Sequence, residues 1–450
     1  MIHARLSAAA QWSGAIHHGQ DTEFTGIAID SRQVTPGSLF VALTGAHHDG
    51  HDYLDDAKLR RASCALVNHP VTTSLPLLIA EDAVAALGRL ASVWRRSFQL
   101  PVIGVLGSNG KTTVKELITT ILQQQYGDAV LATQGNQNNA LGVPLSLFRL
   151  NSRYSAAVLE LGASEQGEIA YLGEIVKPDV AVITNAGLDH IVGFGGQVGA
   201  ARANGEVFAS MNDNGIAVLN GDDECLAIWR QQAGARLCMH FGFTLGADVL
   251  GNWQPSFDGG VLTIESPWGR IQTRLHLMGR HNAMNALAAA AACLALDIEP
   301  EAITEGLAKL HPVAGRLKVH VAASGACIID DTYNANPSSL AAALDALADM
   351  PGTKLLVLGD MAELGDEAEI WHGWAGQAAR TAGVAGLFAV GSLTRLTAES
   401  FGDGAQHLTD SRDLSKALRL WLRPGVNVLV KGSRCMMMEK IVSELLQLTR

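Results

Sequence analysis

The sequence predicts an α/β protein built largely on parallel sheets. Short apolar runs alternate with stretches of helical periodicity through most of the chain. These runs are apolar throughout rather than at every second residue, which is the pattern of strands covered by helices on both faces. One run, residues 101–106, is followed by a glycine-rich turn and a helical stretch, the order in which phosphate-binding sheets are built.

Length and composition limit the possible functions. A chain of 450 residues favours about three domains, and 48% hydrophobic with 17% charged residues is typical of globular proteins. The net charge of −11 argues against a nucleic-acid partner, because sequence-independent DNA or RNA binding needs a basic surface. Six cysteines are scattered without a C-x-x-C pair, which favours reduced thiols and a cytoplasmic location. We expect no signal peptide, because the first residues lack an apolar core, and no membrane span, because no apolar run reaches about 18 residues.

Residues 1 to about 80 are predicted to form a small α/β unit. Its predicted strands are residues 25–30, 38–43, 65–67 and 76–79, and a helix over 81–98 leads out of it. Arg32 and its neighbours Asp30 and Ser31 end the first strand, where an arginine fork can hold a phosphate, although a polar surface turn gives the same pattern. The histidine-rich loop 47–52 is compatible with a metal site, a substrate-binding loop or a solvated turn.

Two further α/β units are predicted on either side of a linker at 311–315. The second unit has predicted strands at 101–106, 129–133, 156–160, 180–184 and 216–219 and predicted helices at 112–125, 198–211 and 281–296. Residues 247–278 alternate in polarity over short stretches, which predicts an antiparallel insert. The third unit has predicted strands at 326–330, 354–358, 386–390 and 426–430 and predicted helices at 337–349, 366–382 and 411–421, followed by a last helix.

The turn at residues 107–113 carries the strongest functional signal. Its glycines let the backbone wrap closely around phosphate oxygens, and the following helix presents its positive end to the anion. In such a loop Lys111 reaches the β- and γ-phosphates and Thr112 binds Mg²⁺. The loop is shorter than the standard pattern, which has a glycine where this chain has Val105. The alternative interpretation is a glycine turn with a surface lysine.

Polar residues follow several predicted strands, at the sheet edge where parallel sheets bind ligands. Glu160 suits Mg²⁺, which prefers oxygen ligands, although a capping or surface glutamate gives the same pattern. His190 taken alone is more typical of a structural histidine. Asn282 and Asn285 lie three apart on one helix face, so they fit either the edge of adenine or helix capping.

Charged residues of the third unit extend this edge. Arg316 follows the linker and can neutralise charge on a transferring phosphoryl group. Asp331 can accept hydrogen bonds from ribose hydroxyls, and Lys431 with Arg434 can bind a carboxylate. Each of these residues has the alternative role of a helix cap or a surface charge.

Short motifs occur in one order along almost the whole chain. They lie at residues 30–32, 39–43, 107–116, 135–139, 160–163, 279–282, 331–337, 359–365 and 431–434. In this order the sequence resembles the Mur ligase family, the ATP-dependent amide-forming enzymes of peptidoglycan precursor synthesis. The shortened phosphate loop is the form that this family uses.

The resemblance implies three domains. They are a UDP-substrate domain at 1–98, a central P-loop ATPase with a mostly parallel sheet at 99–311, and a Rossmann-like domain at 312–450 that binds the incoming dipeptide. It also implies that ATP phosphorylates the terminal carboxylate of UDP-N-acetylmuramoyl-tripeptide and that D-alanyl-D-alanine then attacks the acyl phosphate. ATP and Mg²⁺ are the implied cofactors, and we expect a monomer. The third residue of the tripeptide stays open between diaminopimelate and lysine.

The resemblance assigns roles residue by residue. The implied catalytic residues are Lys111, Glu160, His190 and Arg316. The implied metal ligands are Thr112 and Glu160 at one Mg²⁺ and His190 at a second Mg²⁺. The implied nucleotide-binding residues are Gly107, Ser108, Asn109, Gly110, Lys111, Thr112, Thr113, Asn282, Asn285, Arg316 and Asp331. The implied substrate-binding residues are Ser31, Arg32, Thr44, Gly45, Asp49, His51, Asn136, Asn138, Asn139, Tyr333, Asn334, Asn336, Lys431 and Arg434.

Two positions depart from the family pattern. Asn204 stands where the family usually has a lysine that CO₂ carbamoylates, and Ala140 stands where an aspartate usually follows the asparagine pair. An amide is neutral and shorter than a carbamate, so we hypothesise an active enzyme with a looser requirement for CO₂. The alternatives are a related ligase such as a folate polyglutamate synthase, and a nucleotide-binding protein that has lost catalysis.

Overall fold

The computed structural model describes residues 1–45, 48–187, 191–408 and 410–447, which form three successive α/β units. The α/β class predicted from the sequence is confirmed. None of the helices in these ranges is both long and apolar enough to cross a membrane.

The first unit contains a small, mostly parallel sheet. Its strands are β1 (His3–Arg5), β2 (Ile16–His18), β3 (Glu23–Thr25), β4 (Ile27–Ala28), β5 (Leu39–Val41), β6 (Cys64–Val67) and β7 (Leu77–Ile79). Its helices are α1 (Leu6–Ser13), α2 (Leu54–Leu59) and α3 (Ala83–Arg96), with 3-10 turns at Ser31–Gln33 and Gly50–Tyr53. Strands β4 to β7 pair in parallel, β2 joins β7 antiparallel, and β1 pairs separately with β3. The sequence did not indicate α1 or β2, because each is too short to show a period.

The second unit is built on a larger sheet. Its strands are β8 (Val102–Leu106), β9 (Val130–Ala132), β10 (Ala156–Glu160), β11 (Val180–Ile183), β12 (Ile216–Asn220), β13 (Cys238–Gly242), β14 (Val249–Ser256), β15 (Gly259–Ser266) and β16 (Gly269–Leu275). Its helices are α4 (Lys111–Tyr126), α5 (Gly142–Leu147), α6 (Glu168–Val176), α7 (Ile191–Phe194), α8 (Gln197–Gly205), α9 (Leu226–Ala233), α10 (Arg280–Leu294) and α11 (Pro300–Lys309), and a 3-10 turn, Glu206–Ala209, follows α8.

The strand order β16-β15-β14-β13-β12-β11-β8-β10-β9 places β8 between β10 and β11. Pairing is parallel from β9 to β14 and antiparallel from β14 to β16, so the predicted antiparallel insert is confirmed and extends the same sheet. Helices cover both faces. Val102 and Leu106 pack towards α3, α5 and α6, whereas Ile103 and Val105 pack towards α4, α10 and α11. Burial on both faces explains why this strand is apolar at every position.

The third unit is a second doubly covered sheet. Its strands are β17 (Lys318–Val321), β18 (Cys327–Asp331), β19 (Thr353–Gly359), β20 (Gly386–Val390), β21 (Ala405–Leu408) and β22 (Val426–Lys431). Its helices are α12 (Pro337–Ala348), α13 (Ala368–Thr381), α14 (Thr394–Phe401), α15 (Ser411–Arg419) and α16 (Glu439–Gln447), with 3-10 turns at Gly365–Glu367 and Arg434–Met436. The order is β17-β18-β22-β19-β20-β21, parallel except for the β17–β18 pair. Asp331 and Lys431 therefore end two neighbouring strands and are paired in register.

Candidate active site

The loop between β8 and α4 has a backbone that only glycine permits at two positions. Gly107 and Gly110 have φ angles of +118° and +85°. A Cβ at Gly107 would lie 2.2 Å from Thr184 Oγ1, and a Cβ at Gly110 would lie 2.3 Å from Asn285 Oδ1. Both positions therefore need glycine for the close approach of neighbours as well as for the positive φ.

Side chains from neighbouring segments fix this loop. Asn185 follows β11, and its amide accepts from Asn109 N at 3.0 Å and donates to Asn109 O at 2.9 Å. Thr184 Oγ1 donates to the same carbonyl at 2.7 Å. Asn204 Oδ1, on α8, accepts from Gly107 N at 3.0 Å. Asn185 and Thr184 extend the strand-end pattern that the sequence showed, whereas nothing local in the sequence indicated that α8 reaches the loop.

A cleft of about 670 Å³ lies between this loop and the third unit. It is lined by residues from the central and third units. The sequence-predicted residues along its wall are Ser108, Asn109, Gly110, Lys111, Thr112, Thr113, Asn136, Asn138, Glu160, Asn282, Asn285, Arg316, Asp331, Tyr333, Asn334, Asn336 and Lys431. The structure thus brings together most of the predicted nucleotide-binding residues.

Thr112 lies at the centre of the polar contacts in this cleft. Its hydroxyl donates to Glu160 Oε2 at 2.9 Å and accepts from Arg316 Nη2 at 3.0 Å. Asn138 Nδ2 donates to the other oxygen, Glu160 Oε1, at 2.9 Å. Glu160 is only 3% exposed, so its carboxylate is held in a defined orientation. A carboxylate beside a hydroxyl is the hard oxygen donor set that Mg²⁺ prefers.

Two further groups in the loop fit an anionic ligand. Lys111 Nζ donates to the carbonyls of Gly107 and Ser108, so its charge lies over the loop. Ser108 Oγ is buried and has no hydrogen-bond partner within the described ranges, although the residue lines the cleft. A buried hydroxyl without a partner is costly in a folded protein, and a ligand in the cleft removes that cost.

The two asparagines of α10 lie beside the phosphate loop. Asn282 Nδ2 donates to Met278 O at 2.8 Å, and Asn285 Nδ2 donates to Asn282 Oδ1 at 3.1 Å. Neither caps α10, which begins after Gly279 without a side-chain cap among the residues that the structure describes. His281 immediately precedes Asn282 and is partly accessible through the cleft, but its ring lies deep among other atoms, and this desolvation lowers its pKa to about 4. The imidazole is therefore neutral at physiological pH.

Two cationic side chains of the third unit are held in place by other residues of that unit. Lys431 Nζ donates to Asp331 Oδ2 at 2.5 Å and to Asn334 O at 3.0 Å. Lys431 is 2% exposed, which makes this a buried ion pair. Arg316 stacks over the Tyr333 ring, with its guanidinium carbon 4.2 Å from the centroid. The pair and the stack fix two cationic side chains on the wall opposite the phosphate loop.

Several predicted substrate residues lie elsewhere or have structural partners. Asn139 Oδ1 accepts from Gly142 N at 2.9 Å at the start of α5. Arg434 pairs with Glu439 at 3.1 Å and is not part of the cleft wall. Asn336 caps α12. His190, the predicted ligand of a second Mg²⁺, lies outside the described residues.

The predicted substrate-binding residues of the first unit do not line the cleft. They are Ser31, Arg32, Thr44, Gly45, Asp49 and His51. Arg32 pairs with Asp30 at 2.8 Å but is 83% exposed, so its guanidinium remains accessible. His51 donates hydrogen bonds to Asp49 through its backbone N–H and ring, and these hold the pKa of that carboxyl below its usual range. No group of three or more potential metal ligands occurs in the described part of the chain, and His47 of the predicted loop lies outside it.

Comparison with known proteins follows the same three units. Family profiles match residues 23–93 ("Mur ligase family, catalytic domain"), 105–293 ("Mur ligase middle domain") and 315–434 ("Mur ligase, glutamate ligase domain"). UDP-N-acetylmuramoyl-tripeptide--D-alanyl-D-alanine ligase of Escherichia coli is 39% identical over 449 residues, which is 99% of each chain.

Solved structures agree with these matches. MurF from Acinetobacter baumannii superposes with a TM-score of 0.94 at 32% identity over 99% of each chain. MurF ligase from Thermotoga maritima in complex with ADP gives a TM-score of 0.85 at 29% identity, covering 94% of this chain and 97% of that one. A Mycobacterium tuberculosis folylpolyglutamate synthase is only 17% identical, with a TM-score of 0.66 over 80% of this chain, and shares the fold alone.

Proposed function

The chain belongs to the Mur ligase family, and we propose that it joins D-alanyl-D-alanine to UDP-N-acetylmuramoyl-tripeptide, with ATP converted to ADP and phosphate. One observation carries this proposal. The cleft faces a phosphate loop on one side and fixed cations of the third unit on the other, in a chain that aligns end to end with ligases named for this reaction. A protein that only binds a nucleotide in one domain does not require the cations that the third unit places on the second wall of the cleft.

The chemistry requires activation of a carboxylate, which is a poor electrophile. The terminal carboxylate of the tripeptide attacks the γ-phosphorus of ATP, the bond to the bridging oxygen breaks, and ADP leaves. The amine of D-alanyl-D-alanine then attacks the acyl carbon of the acyl phosphate. The tetrahedral intermediate expels phosphate, and the amine nitrogen loses a proton. The products are ADP, phosphate and UDP-N-acetylmuramoyl-pentapeptide.

The residues of the cleft are suited to the charges of this reaction. Lys111 and Arg316 lie on opposite walls and neutralise the negative charge that develops when two anions are brought together. Arg316 is oriented by Tyr333 and by the Thr112 hydroxyl. Thr112 and Glu160 are the described residues that would hold Mg²⁺, which supplies further charge neutralisation at the phosphates. We keep His190 as the proposed ligand of a second Mg²⁺.

The remaining site residues are assigned by the same proposal. Asn282 and Asn285 contact the adenine, and Asp331 contacts the ribose, with Lys431 acting through Asp331. The exposed Arg434 contacts the incoming dipeptide. Residues 1–98 bind the UDP end with Arg32 and His51 among the contacts, residues 99–311 form the ATPase, and residues 312–450 receive the dipeptide. Asn136, Asn138 and Asn139 border the muramoyl group.

We further propose that the enzyme acts as a monomer in the cytoplasm, where ATP and UDP-linked precursors are made, and that its product supports cell shape and division through peptidoglycan. Six free thiols are consistent with a reducing compartment. A substrate panel tests the assignment. Mass spectrometry should detect the pentapeptide only when ATP, tripeptide and D-alanyl-D-alanine are all present. Glutamylation of a folate would overturn it, and ATP binding without any phosphate release would leave the inactive nucleotide binder.

A further inference from the structure

Besides the bond from Arg316 to Thr112, a second contact joins the third unit directly to the phosphate loop. Asn336 Nδ2 donates to Asn109 Oδ1 at 3.1 Å, across a sequence separation of 227 residues. Asn109 is in the middle of the loop, and Asn336 immediately precedes α12. Both line the cleft, so the bond closes part of its rim without any other group between the two side chains.

Both ends of this contact are held by other bonds. The Asn109 backbone is fixed by Asn185 and Thr184, as described above. Asn336 Oδ1 accepts from Ser339 N at 2.8 Å, while Ser339 Oγ accepts from Asn336 N at 3.0 Å. This capping box uses the oxygen of the Asn336 amide and directs its nitrogen towards the loop. Asn336 therefore performs two tasks with one side chain.

The segment after β11 leaves room for the contact. A Cβ at Gly187 would lie 2.9 Å from Asn109 Nδ2 and 3.4 Å from Ser338 Oγ of α12. A larger residue at Gly187 would press on both sides of the junction. The absence of a side chain there lets α12 approach the loop.

We propose that the hydrogen bond between Asn336 and Asn109 forms a latch, which holds the third unit in a fixed position over the phosphate loop for phosphoryl transfer. The two are positioning residues rather than catalytic ones. The inference rests on the proposed function, in which Lys111 and Arg316 act on one phosphoryl group from different units. Because misplacement of a reacting group by about 1 Å lowers the rate strongly, a direct bond between the units has a catalytic consequence. In this proposal Asn336 binds Asn109 instead of the substrate that the sequence predicted for it.

A double-mutant cycle tests the latch. Asn336→Ser keeps a capping oxygen but is too short to reach Asn109, and Asn109→Ala removes the other partner. We expect each variant to lower kcat/KM for ATP by about three- to tenfold, the effect of one lost hydrogen bond. The double variant should be no slower than the slower single variant, because both remove the same bond.

A matched control separates the latch from general loss of stability. Asn427 is buried at the start of β22, near the opposite end of the same strand from Lys431, and donates to Pro351 O at 2.8 Å. Asn427→Ser also removes one amide hydrogen bond from this unit, and it should lower Tm while kcat/KM stays within about twofold of the native value. The latch would be overturned if the decreases in kcat/KM of Asn336→Ser and Asn109→Ala multiplied in the double variant. It would also be overturned if Asn336→Ser were as active as the control.

Small-angle scattering with saturating ADP and Mg²⁺ provides a readout that needs no ligase activity. The native chain should have a smaller radius of gyration than Asn336→Ser, and the control should match the native chain. Equal radii for the native chain and Asn336→Ser would contradict the latch. A native enzyme that releases no phosphate but still shows the difference in radius would overturn the proposed function and support the latch.

Discussion

Asn204 Oδ1 accepts a 3.0 Å hydrogen bond from the backbone N–H of Gly107, which links α8 to the first residue of the phosphate loop. The amide nitrogen of Asn204 donates to Ala200 O at 2.8 Å, and the residue is 7% exposed. Both polar ends of the side chain are therefore used inside the protein. Asn204, at the position where the sequence resemblance implies a carbamoylated lysine, fastens the loop through this contact.

Replacing Asn204 by alanine should weaken nucleotide binding. The substitution leaves the buried N–H of Gly107 without its acceptor, a cost of about 1–3 kcal/mol. We expect the KM for ATP to rise roughly tenfold, measured by phosphate release. Asn212→Ala is the control, because Asn212 is exposed and its amide bonds Asp179 at 2.6 Å instead of the loop. An unchanged KM in the Asn204 variant would show that the loop is held without it.

Activity of the native enzyme should not depend on bicarbonate. Carbamates form on free amines, and the amide nitrogen of Asn204 is neither basic nor free. Phosphate release in the presence of both substrates is to be compared in degassed buffer and in buffer with bicarbonate. Equal rates are expected. Stimulation by bicarbonate would mean that another amine of the chain carries a carbamate.

Variants of the buried pair of Lys431 and Asp331 should affect stability and ligase activity differently. Lys431→Met leaves the Asp331 carboxylate buried without its cation, which should lower the free energy of unfolding by about 3–5 kcal/mol. The double variant Lys431→Met with Asp331→Asn removes both charges and should recover most of that loss in urea unfolding, but not ligation. Recovery of ligation as well would argue that Asp331 makes no contact with the nucleotide.

His281 should make the protein less stable in mild acid. Burial lowers its pKa from 6.5 to about 4, an effect that Asp331 opposes and Lys431 reinforces. Below pH 6.5 the unfolded chain therefore binds a proton that the folded chain does not, so stability falls as the pH drops towards 4. This proton uptake lowers the free energy of unfolding by about 2 kcal/mol between pH 7.5 and 5. Measured by urea unfolding, the His281→Asn variant should lose less stability than the native chain over this pH range, by that same amount. If the free energy of unfolding depended on pH equally in His281→Asn and in the exposed-site control His3→Asn, the acid effect could not be assigned to His281.

The sequence was sufficient to predict the sheets and the edge on which the cleft lies. Strands such as β8 are apolar at each position because both faces are covered, and the polar residues that follow them mark the carboxyl ends. Glu160 was found in this way, Thr112 from the glycine-rich turn and Arg316 from its place after the linker, and the Thr112 hydroxyl hydrogen-bonds both of the others. The short elements α14, β17 and β21 were not found, because each has too few residues to show a period.

The partners of individual side chains were beyond local sequence reasoning. Lys431 was predicted to bind a substrate carboxylate, yet it meets Asp331, 100 residues earlier, because β18 and β22 are neighbours. Asn204 reaches Gly107 over 97 residues for a similar reason, through the packing of α8 under the loop. Such pairs depend on strand order and helix placement, which the residue pattern along one segment does not specify.

The transfer of oxygen from the tripeptide to phosphate tests the proposed reaction most directly. The tripeptide is to be labelled with ¹⁸O in its terminal carboxylate and incubated with ATP, Mg²⁺ and D-alanyl-D-alanine, and the released phosphate is to be analysed by mass spectrometry. An acyl phosphate predicts one ¹⁸O atom in phosphate for each pentapeptide formed, because the carboxylate oxygen that accepts the phosphoryl group leaves with it. Pentapeptide formed with unlabelled phosphate would contradict phosphoryl transfer to the carboxylate in this cleft.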